Sequence, residues 1–385
     1  MYSGFTIKRR KNMAKAKAGK LSPSDLLGRI NKIAGREVAH NLEKENPTDV
    51  IDWIPTGAKW LDAITCKGKW GGIPVGKITE IAGLEATGKS FIAAQVCANA
   101  QKKGILPVYF DSESAIDSNF LVRSGVDISD GKFIYVQAQS VEFVLEVMEQ
   151  LMGDYDDRLL FVWDSLAFTP AVSDVEGDFN PQSSVASKAR ILAKACSKLA
   201  IPIADKQATW LVLNQLKVNI TRIAAEAMTT PFITPGGKAM AYSYSLRIWL
   251  TGRKAKKSYV VADNGFRVGS EVKAKIEKSR FGTQGRLCNF KILWGTDEVG
   301  VQDEESWFDA IQISDGIKQS GAWFTLIHED GQEEKFQRKG WLEKLKNEKF
   351  KTRVLQIMDQ DVIMKFNDRS GNASDYYEKD EKDEK

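Results

Sequence analysis

Residues 77–90 read KITEIAGLEATGKS, and the fold turns on them. The opening KITEIAG is a short apolar run with β-branched residues, the pattern of a strand buried on both faces. Then come Gly83, Leu84, Glu85, Ala86, Thr87, Gly88, Lys89 and Ser90, in the G-x-x-x-x-G-K-S spacing of a phosphate-binding loop. The glycines let the backbone curl so that successive N–H groups point at phosphate oxygens. Lys89 offers a positive charge to the β and γ phosphates, and Ser90 offers a hydroxyl to Mg²⁺. A helix is predicted from Lys89 to Lys103, stopped by Gly104, with its positive end toward the same phosphates. The plainer alternative is a glycine turn, but a strand before and a helix after are the context a phosphate loop requires.

Working outward, strands and helices alternate from about 54 to 300, as in an α/β domain. VYFDSE (108–113), Phe133–Val136, LLFVWDS (159–165), TWLVLNQ (209–215) and LRIWL (246–250) read as strands. Ser140–Met152 and Ser184–Leu199 read as helices, and 216–240, rich in Thr, Pro and Gly, as a loop. Ahead of this core, SPSDLLGRINKIAGR reads as one helix with Ser24 as N-cap and Gly35 at its end. After about 302, Trp307, Ile311, Ile313, Ile317, Trp323, Phe324 and Trp341 form an apolar set of their own. The expected organisation is a basic N-terminal segment at 1–50, a core at 51–301, a small α+β domain at 302–370 and an acidic tail at 371–385.

Composition narrows the chemistry. The chain's 385 residues allow one large domain with smaller additions, and no apolar run is long enough for a membrane span. Cys66, Cys97, Cys196 and Cys288 are scattered without a C-x-x-C, which argues against disulfides or zinc and fits a reducing cytoplasm. With only His40 and His328, histidine triads and histidine metal sites are nearly excluded. Residues 1–40 carry ten Lys/Arg against Asp25 and Glu37, while 375–385 carry six acids and three lysines. A basic head and an acidic tail suggest a polyanion partner with the tail as a decoy; two solubilising termini are the plainer alternative.

A phosphate loop alone only binds; hydrolysis also needs a metal-organising acid and a group that positions water. Asp164, at the carboxyl end of LLFVWDS with Ser165 next to it, is the metal-side candidate together with Ser90. Glu113 and Asp111 compete for the water-activating role, on a strand expected to neighbour the phosphate-loop strand, and spacing does not separate them. Gln215, ending TWLVLNQ, can sense the γ-phosphate and pass the signal into the following loop, though on the residues alone ordinary strand-end polarity is the stronger reading.

At these residues the chain resembles the RecA family of DNA recombinases, over roughly 54–345. The resemblance lies in GGIPVGKITEIAGLEATGKS, FDSESAIDSNFLVRSGVD, VWDSLAFTPAVSDVEGDFN, LNQLKVNI, TPGGKAMAYSYSLRIWL, VGSEVKAKIEKSRFG, FKILWG and KQSGAWF. It implies a RecA-like P-loop ATPase core with a mainly parallel central sheet, a short N-terminal oligomerisation helix and a small α+β C-terminal domain. It places the catalytic glutamate at Glu113, adenine contacts at Asp117 and Phe120, and the switch glutamine at Gln215. Lys278 and Arg280 fall on cations that reach a neighbouring subunit's γ-phosphate; a solvated basic strand face is their plainer reading. Implied cofactors are ATP and Mg²⁺. Implied partners are single-stranded DNA, homologous duplex DNA, further copies of the chain in a helical filament, and single-strand-binding and mediator proteins. The implied setting is recombination, repair and the SOS response in the cytoplasm of a bacterium or phage-infected host.

Two loops would hold DNA on this view. The first, about Asp174–Ser184, offers little charge beyond Arg190. The second offers Lys217, Arg222, Phe232, Ile233, Gly236, Gly237 and Lys238: cations and bare backbone for phosphates, an apolar wedge for bases. This second loop departs from bacterial relatives in extra residues and prolines, and PGGKAMAYS looks closer to archaeal and phage-type recombinases. Where the bacterial family has a basic residue, this chain has Ala241, with Lys238 three positions earlier. The rival readings are a RecA-core hexameric helicase, a regulatory single-strand-binding paralogue that barely turns ATP over, and a small-molecule P-loop kinase. The first lacks a large N-terminal partner domain, the second is opposed by the full Lys89, Glu113 and Asp164 set, and the third lacks evident lid arginines.

Overall fold

The computed structural model describes residues 21–42, 44, 46–176, 187–220, 228, 230–252, 258–297 and 299–365. The head 1–20, most of the first loop, Arg222 and the tail 371–385 lie outside the described residues. The chain divides into two compact units, residues 1–49 and 50–385.

In the first unit α1 spans Pro23–Ala34. Its N-cap is Ser22, not Ser24: Ser22 Oγ accepts from Asp25 N, and Asp25 returns a bond to Ser22 N at 3.0 Å. Pro23 explains the shift, because proline suits the first helical position and fixes the cap one residue ahead. Gly35 ends the helix in the left-handed conformation at φ 69°, as expected.

The second unit begins with β1 (Trp53–Ile54), α2 (Lys59–Thr65), β2 (Ile73–Pro74), β3 (Ile78–Gly83) and α3 (Lys89–Lys102). β4 (Leu106–Asp111), α4 (Ser118–Arg123), β5 (Ile134–Gln137), α5 (Val141–Asp154), β6 (Leu159–Asp164), α6 (Val172–Val175) and α7 (Ser187–Asp205) follow. Next are β7 (Thr209–Gln215), β8 (Lys217–Val218), β9 (Phe232–Ile233), α8 (Gly237–Ser243), β10 (Leu246–Gly252), β11 (Tyr259–Val261), β12 (Arg267–Ser279), β13 (Leu287–Leu293) and β14 (Gly300–Gln302). The C-terminal part holds α9 (Asp303–Ile311), β15 (Ile317–Ser320), β16 (Trp323–Ile327), β17 (Glu333–Gln337), α10 (Trp341–Lys344) and α11 (Glu348–Ile357).

Among the described residues, the central sheet runs β14-β13-β12-β10-β3-β7-β6-β4-β5, with β11 paired to β12. β10, β3, β7, β6, β4 and β5 are mutually parallel, and β11 to β14 extend the sheet antiparallel. This is a RecA-like α/β architecture with a mainly parallel sheet. β3, β4, β6 and β7 are buried on both faces, which is why they read as apolar runs without alternation, while β5 at the edge is largely exposed. One cluster joins Ile81, Leu213 and Ile248 to α3, and another joins Phe161, Trp163 and Trp210 to α5 and α7.

The strand order corrects one expectation. β4, which leads to Glu113, does not neighbour β3; β7 and β6 lie between them. Order in a parallel sheet is set by where the crossover helices pack, and local sequence does not carry it. Two element bounds also move. α7 runs on through Pro202 to Asp205, because Leu199 and Ile203 are buried and that packing outweighs one lost helical bond. The stretch 216–240 is not all loop: α8 starts at Gly237, after Gly236 and Gly237 turn the chain at φ 111° and 79°, and Met240 anchors it in the core.

The C-terminal part has a three-stranded antiparallel sheet, β15-β16-β17, beside α9 to α11. Phe308 meets Phe324 edge-on at 4.7 Å and Trp341 at 5.3 Å. These rings belong to the same apolar cluster as Ile81 and Ile248, so packing is continuous with the central sheet.

Candidate nucleotide and nucleic-acid site

The register of the sheet lines up the chemistry. Gly83 pairs with Gln215 across β3 and β7, and Asp111 pairs with Asp164 across β4 and β6. The carboxyl ends of these strands therefore make one edge carrying the phosphate loop, the glutamine and both aspartates, where ligands of open α/β sheets bind.

The loop closes on itself. Thr87 Oγ1 donates to the Leu84 carbonyl at 2.8 Å, and Lys89 Nζ donates to the same oxygen at 3.1 Å. Gly83 cannot carry a side chain, since a Cβ there would lie 2.3 Å from Thr87 Oγ1. Gly88, at φ 82°, would place a Cβ 2.2 Å from Ile292 Cδ1. Glu85 and Ala86 form the exposed rim. Burial holds the Lys89 ammonium below the usual lysine range, against the pull of Asp164, Glu113 and Glu85.

Ser90 Oγ donates to Asp164 Oδ2 at 3.0 Å, and Tyr109 OH donates to the same oxygen at 2.7 Å. Burial pushes the Asp164 carboxyl up, while those two hydrogen bonds oppose it. Among the described residues no cluster of three or more His, Cys, Asp or Glu forms a free-standing metal site. One carboxylate and one hydroxyl are the sparse donor set that suits Mg²⁺ when phosphate oxygens and water complete its octahedron. The residues present thus fit a nucleotide's phosphates with a hard divalent cation.

The two competing acids have different surroundings. Asp111 is buried; its Oδ1 accepts from Glu113 N at 2.9 Å, and its Oδ2 accepts from Ala115 N, Ile116 N and Tyr135 OH at 3.0, 3.2 and 3.2 Å. It shapes the turn. Glu113 is exposed, and Ser165 Oγ donates to its Oε1 at 2.8 Å. Ser112 spans β4 and β6, donating from Oγ to the Ser165 carbonyl at 3.0 Å and accepting from Ser165 N at 2.9 Å. That clasp brings Glu113 beside Asp164 although the strand order separates it from β3.

A cavity of about 290 Å³ opens beside the loop, lined by Ala86 to Phe91, Phe120, Ser270, Val272, Ile292 and Trp294. Phe120 sits edge-on to Phe91 at 4.9 Å. Its apolar wall suits a flat heterocycle. Asp117 does not line it; its carboxylate accepts from Phe120 N at 2.8 Å and caps α4. Trp294 and Ile292 were missed in the sequence, since β13 packs beside the loop only through the antiparallel extension of the sheet; FKILWG was the available signal.

Lys278 and Arg280 are not brought to this chain's own phosphate loop. Leu246 pairs with both Ser279 and Thr79, which puts them at the opposite end of β3 from Gly83. Lys278 Nζ donates to the Ala241 and Tyr242 carbonyls at 2.9 and 2.8 Å, and Arg280 Nη2 to Tyr242 at 2.9 Å, capping α8. Burial and the neighbouring Arg280 and Arg247 lower the Lys278 ammonium.

Gln215 is half-buried at the end of β7, and Leu216 N donates to the Gly83 carbonyl at 3.1 Å. β8 and β9 pair as a short stem, Lys217 with Ile233 and Val218 with Phe232. Lys217 and Lys238 are exposed, as is Arg190 on α7; Ile233 is exposed and Phe232 half-buried. Ile220, 96% exposed, and Val218 and Met228 are further bare apolar side chains that sequence reading did not single out. Without a fold, apolar residues in a loop cannot be sorted into packed and bare.

A phosphate loop, a strand-end aspartate tied to its serine and an acid on the adjoining edge make a P-loop nucleotide site on an α/β sheet. The model of the RecA N-terminal domain matches residues 23–299. "Protein RecA" of Bifidobacterium breve is 31% identical over 301 residues, covering 78% of this chain and 71% of the relative. "Protein RecA" of Arthrobacter sp. (strain FB24) is 30% identical over 299 residues, covering 78% and 80%. That of Wolinella succinogenes is 31% identical over 298 residues, covering 77% and 79%. The chain belongs to the RecA family.

Proposed function

We propose that this chain is an ATP-dependent recombinase that assembles with further copies on single-stranded DNA and catalyses homologous pairing and strand exchange. The observation that carries this reading is the bond from Leu216 N to the Gly83 carbonyl. It leaves the phosphate loop and the base of the stem bearing Lys217, Ile220 and Ile233 a single hydrogen bond apart. Lys89 and the loop N–H groups hold the phosphates, Ser90 and Asp164 hold Mg²⁺, and Glu113 orients and deprotonates the attacking water. Bound Mg²⁺ supplies charge neutralisation at the phosphates. Phe120 and Trp294 flank the base. Lys278 and Arg280, remote from this chain's own loop, serve the ATP of an adjacent copy. Lys217 and Lys238 neutralise DNA phosphates, and Ile220 or Ile233 enters between bases.

On this reading ATP acts mainly as a conformational ligand: it favours the DNA-holding state, and hydrolysis releases it. The setting is the cytoplasm of a bacterium or phage-infected host. The test is ATP hydrolysis with Mg²⁺, with and without single-stranded DNA, using Lys89→Ala and Glu113→Gln. DNA stimulation that both substitutions abolish supports the reading and leads to a strand-exchange assay. Hydrolysis indifferent to DNA overturns it.

A further inference from the structure

Glu80 lies in the middle of β3, three residues before the phosphate loop begins, and its side chain is fully buried. A buried carboxylate needs partners, and both flanking strands supply one. From β10, Arg247 Nε donates to Glu80 Oε2 at 2.6 Å; from β7, Asn214 Nδ2 donates to Oε1 at 2.9 Å. Neither partner stops there. Arg247 Nη2 also donates to Thr234 Oγ1 at 2.9 Å, and Asn214 Nδ2 also donates to the Pro235 carbonyl at 2.9 Å. Thr234 and Pro235 directly follow β9, the returning strand of the stem. Asn214 directly precedes Gln215 and accepts from its N–H at 3.0 Å. Tyr244 and Trp249 flank the guanidinium, each ring centre 5.7 Å from it.

We propose that Glu80, Asn214 and Arg247 are positioning residues that transmit nucleotide state to the returning side of the 217–238 stem. One carboxylate on the phosphate-loop strand fixes two donors, and each donor holds one residue of Thr234-Pro235. A shift of Gln215 toward phosphate moves Asn214 with it, and through Glu80 it moves Arg247, so Thr234 and Pro235 follow only while both arms are joined. The outgoing side of the stem is tied separately, through Leu216 to Gly83. Glu80, Asn214 and Arg247 each hold at least two partners, which leaves the charged network few alternative arrangements and suits it to switch rather than to flex. The inference rests on the proposed coupling of nucleotide to DNA and names the residues that carry it.

The decisive variant is Thr234→Val, which keeps shape and the Glu80–Arg247 pair while removing the hydroxyl at the stem. Arg247→Lys, which reaches Glu80 without a second arm for Thr234, is its companion. Three quantities are read for each: affinity for a non-hydrolysable ATP analogue, the analogue's effect on trypsin cleavage after Lys217 and Lys238, and DNA-stimulated hydrolysis. The expected result is unchanged analogue affinity, loss of the analogue's effect on cleavage, and DNA stimulation reduced by roughly 5-fold, about one hydrogen bond's worth. The double variant should match the single ones, since both sever the same link. Cleavage that still responds to the analogue in both variants overturns the proposal, as does a parallel fall in affinity, basal hydrolysis and thermal midpoint, which marks a purely structural pair. If the unmodified protein shows no DNA stimulation, the underlying reading fails and this proposal with it; if only the variants behave like the parent, this proposal alone fails.

Discussion

Asp111 aims Glu113: its carboxylate accepts the Glu113 N–H at 2.9 Å and fixes the turn that carries the second acid to Ser165. Asp111→Asn keeps one acceptor and loses the other, so the turn loosens without a cavity. The expected outcome is about a 10-fold fall in kcat with DNA and a modest fall in thermal midpoint. Asp111→Ala should destabilise by about 2–4 kcal/mol, because backbone N–H groups lose their acceptor in a buried place. Glu113→Gln should instead leave the thermal midpoint in place and lower hydrolysis by about 10²–10⁴-fold, the usual weight of a general base. If Asp111→Asn removes hydrolysis at unchanged stability while Glu113→Gln keeps it, the two roles are reversed.

A second prediction concerns pH. Asp62 on α2 is buried and accepts from Thr56 N at 3.0 Å and Thr56 Oγ1 at 2.7 Å. Burial pushes its carboxyl up to about 7; the Thr56 bonds and Lys59 oppose this, and Asp303 adds to it. In the unfolded chain the group titrates near 3.8. Between those values the folded chain holds a proton that the unfolded chain has lost, so this group's contribution falls as pH rises toward 7 and is level above it. Asp62→Asn keeps the Oδ1 acceptor and removes the titration. The difference in stability, variant minus parent, should grow by a few kcal/mol from pH 4 to pH 7. Denaturant midpoints across that range measure it, and a constant difference refutes the assignment.

The site was legible wherever its signal is local. GLEATGKS announces its own geometry, because glycine spacing and the helix start act within eight residues. Strand ends were legible too, since apolar runs stop at Asp111, Asp164 and Gln215. The strand order is not legible, because pairing of distant segments leaves no local trace; the sequence therefore suggests β4 beside β3 and carries no sign of the Ser112 clasp that brings Glu113 back. The Glu80–Arg247 pair was hidden for the same reason: 167 residues separate its members. Asp117 shows the converse limit, since an acid before a helix reads alike whether it caps the helix or meets a ligand.

Lys217 and Ile220 should separate charge from apolar contact in DNA binding. Each cation that neutralises a phosphate adds about 0.7 to the slope of log affinity against log salt for single strands. Lys217→Ala should therefore lower affinity most at low salt and reduce the slope per bound subunit by about that amount. Ile220→Ala should lower affinity equally at all salt concentrations, because apolar contact with bases releases no counterions. Titrations of labelled oligonucleotide at several salt concentrations measure both. A change of slope for Ile220→Ala, or none for Lys217→Ala, removes that residue from its assigned role.

Gly88 offers a test of the phosphate loop that leaves the charged groups in place. Alanine at φ 82° is strained by about 1–2 kcal/mol, and its Cβ would fall 2.2 Å from Ile292 Cδ1. Gly88→Ala should thus lower both nucleotide affinity and thermal midpoint. Ile292→Val removes the Cδ1 atom, and combining the two should recover the part of the loss due to crowding but none of the part due to backbone strain. Affinity for a non-hydrolysable ATP analogue and thermal midpoint, measured on the parent, both single variants and the double, apportion the two causes. Full recovery in the double variant would show that crowding against β13 alone requires glycine here; no recovery would show that the left-handed backbone alone does.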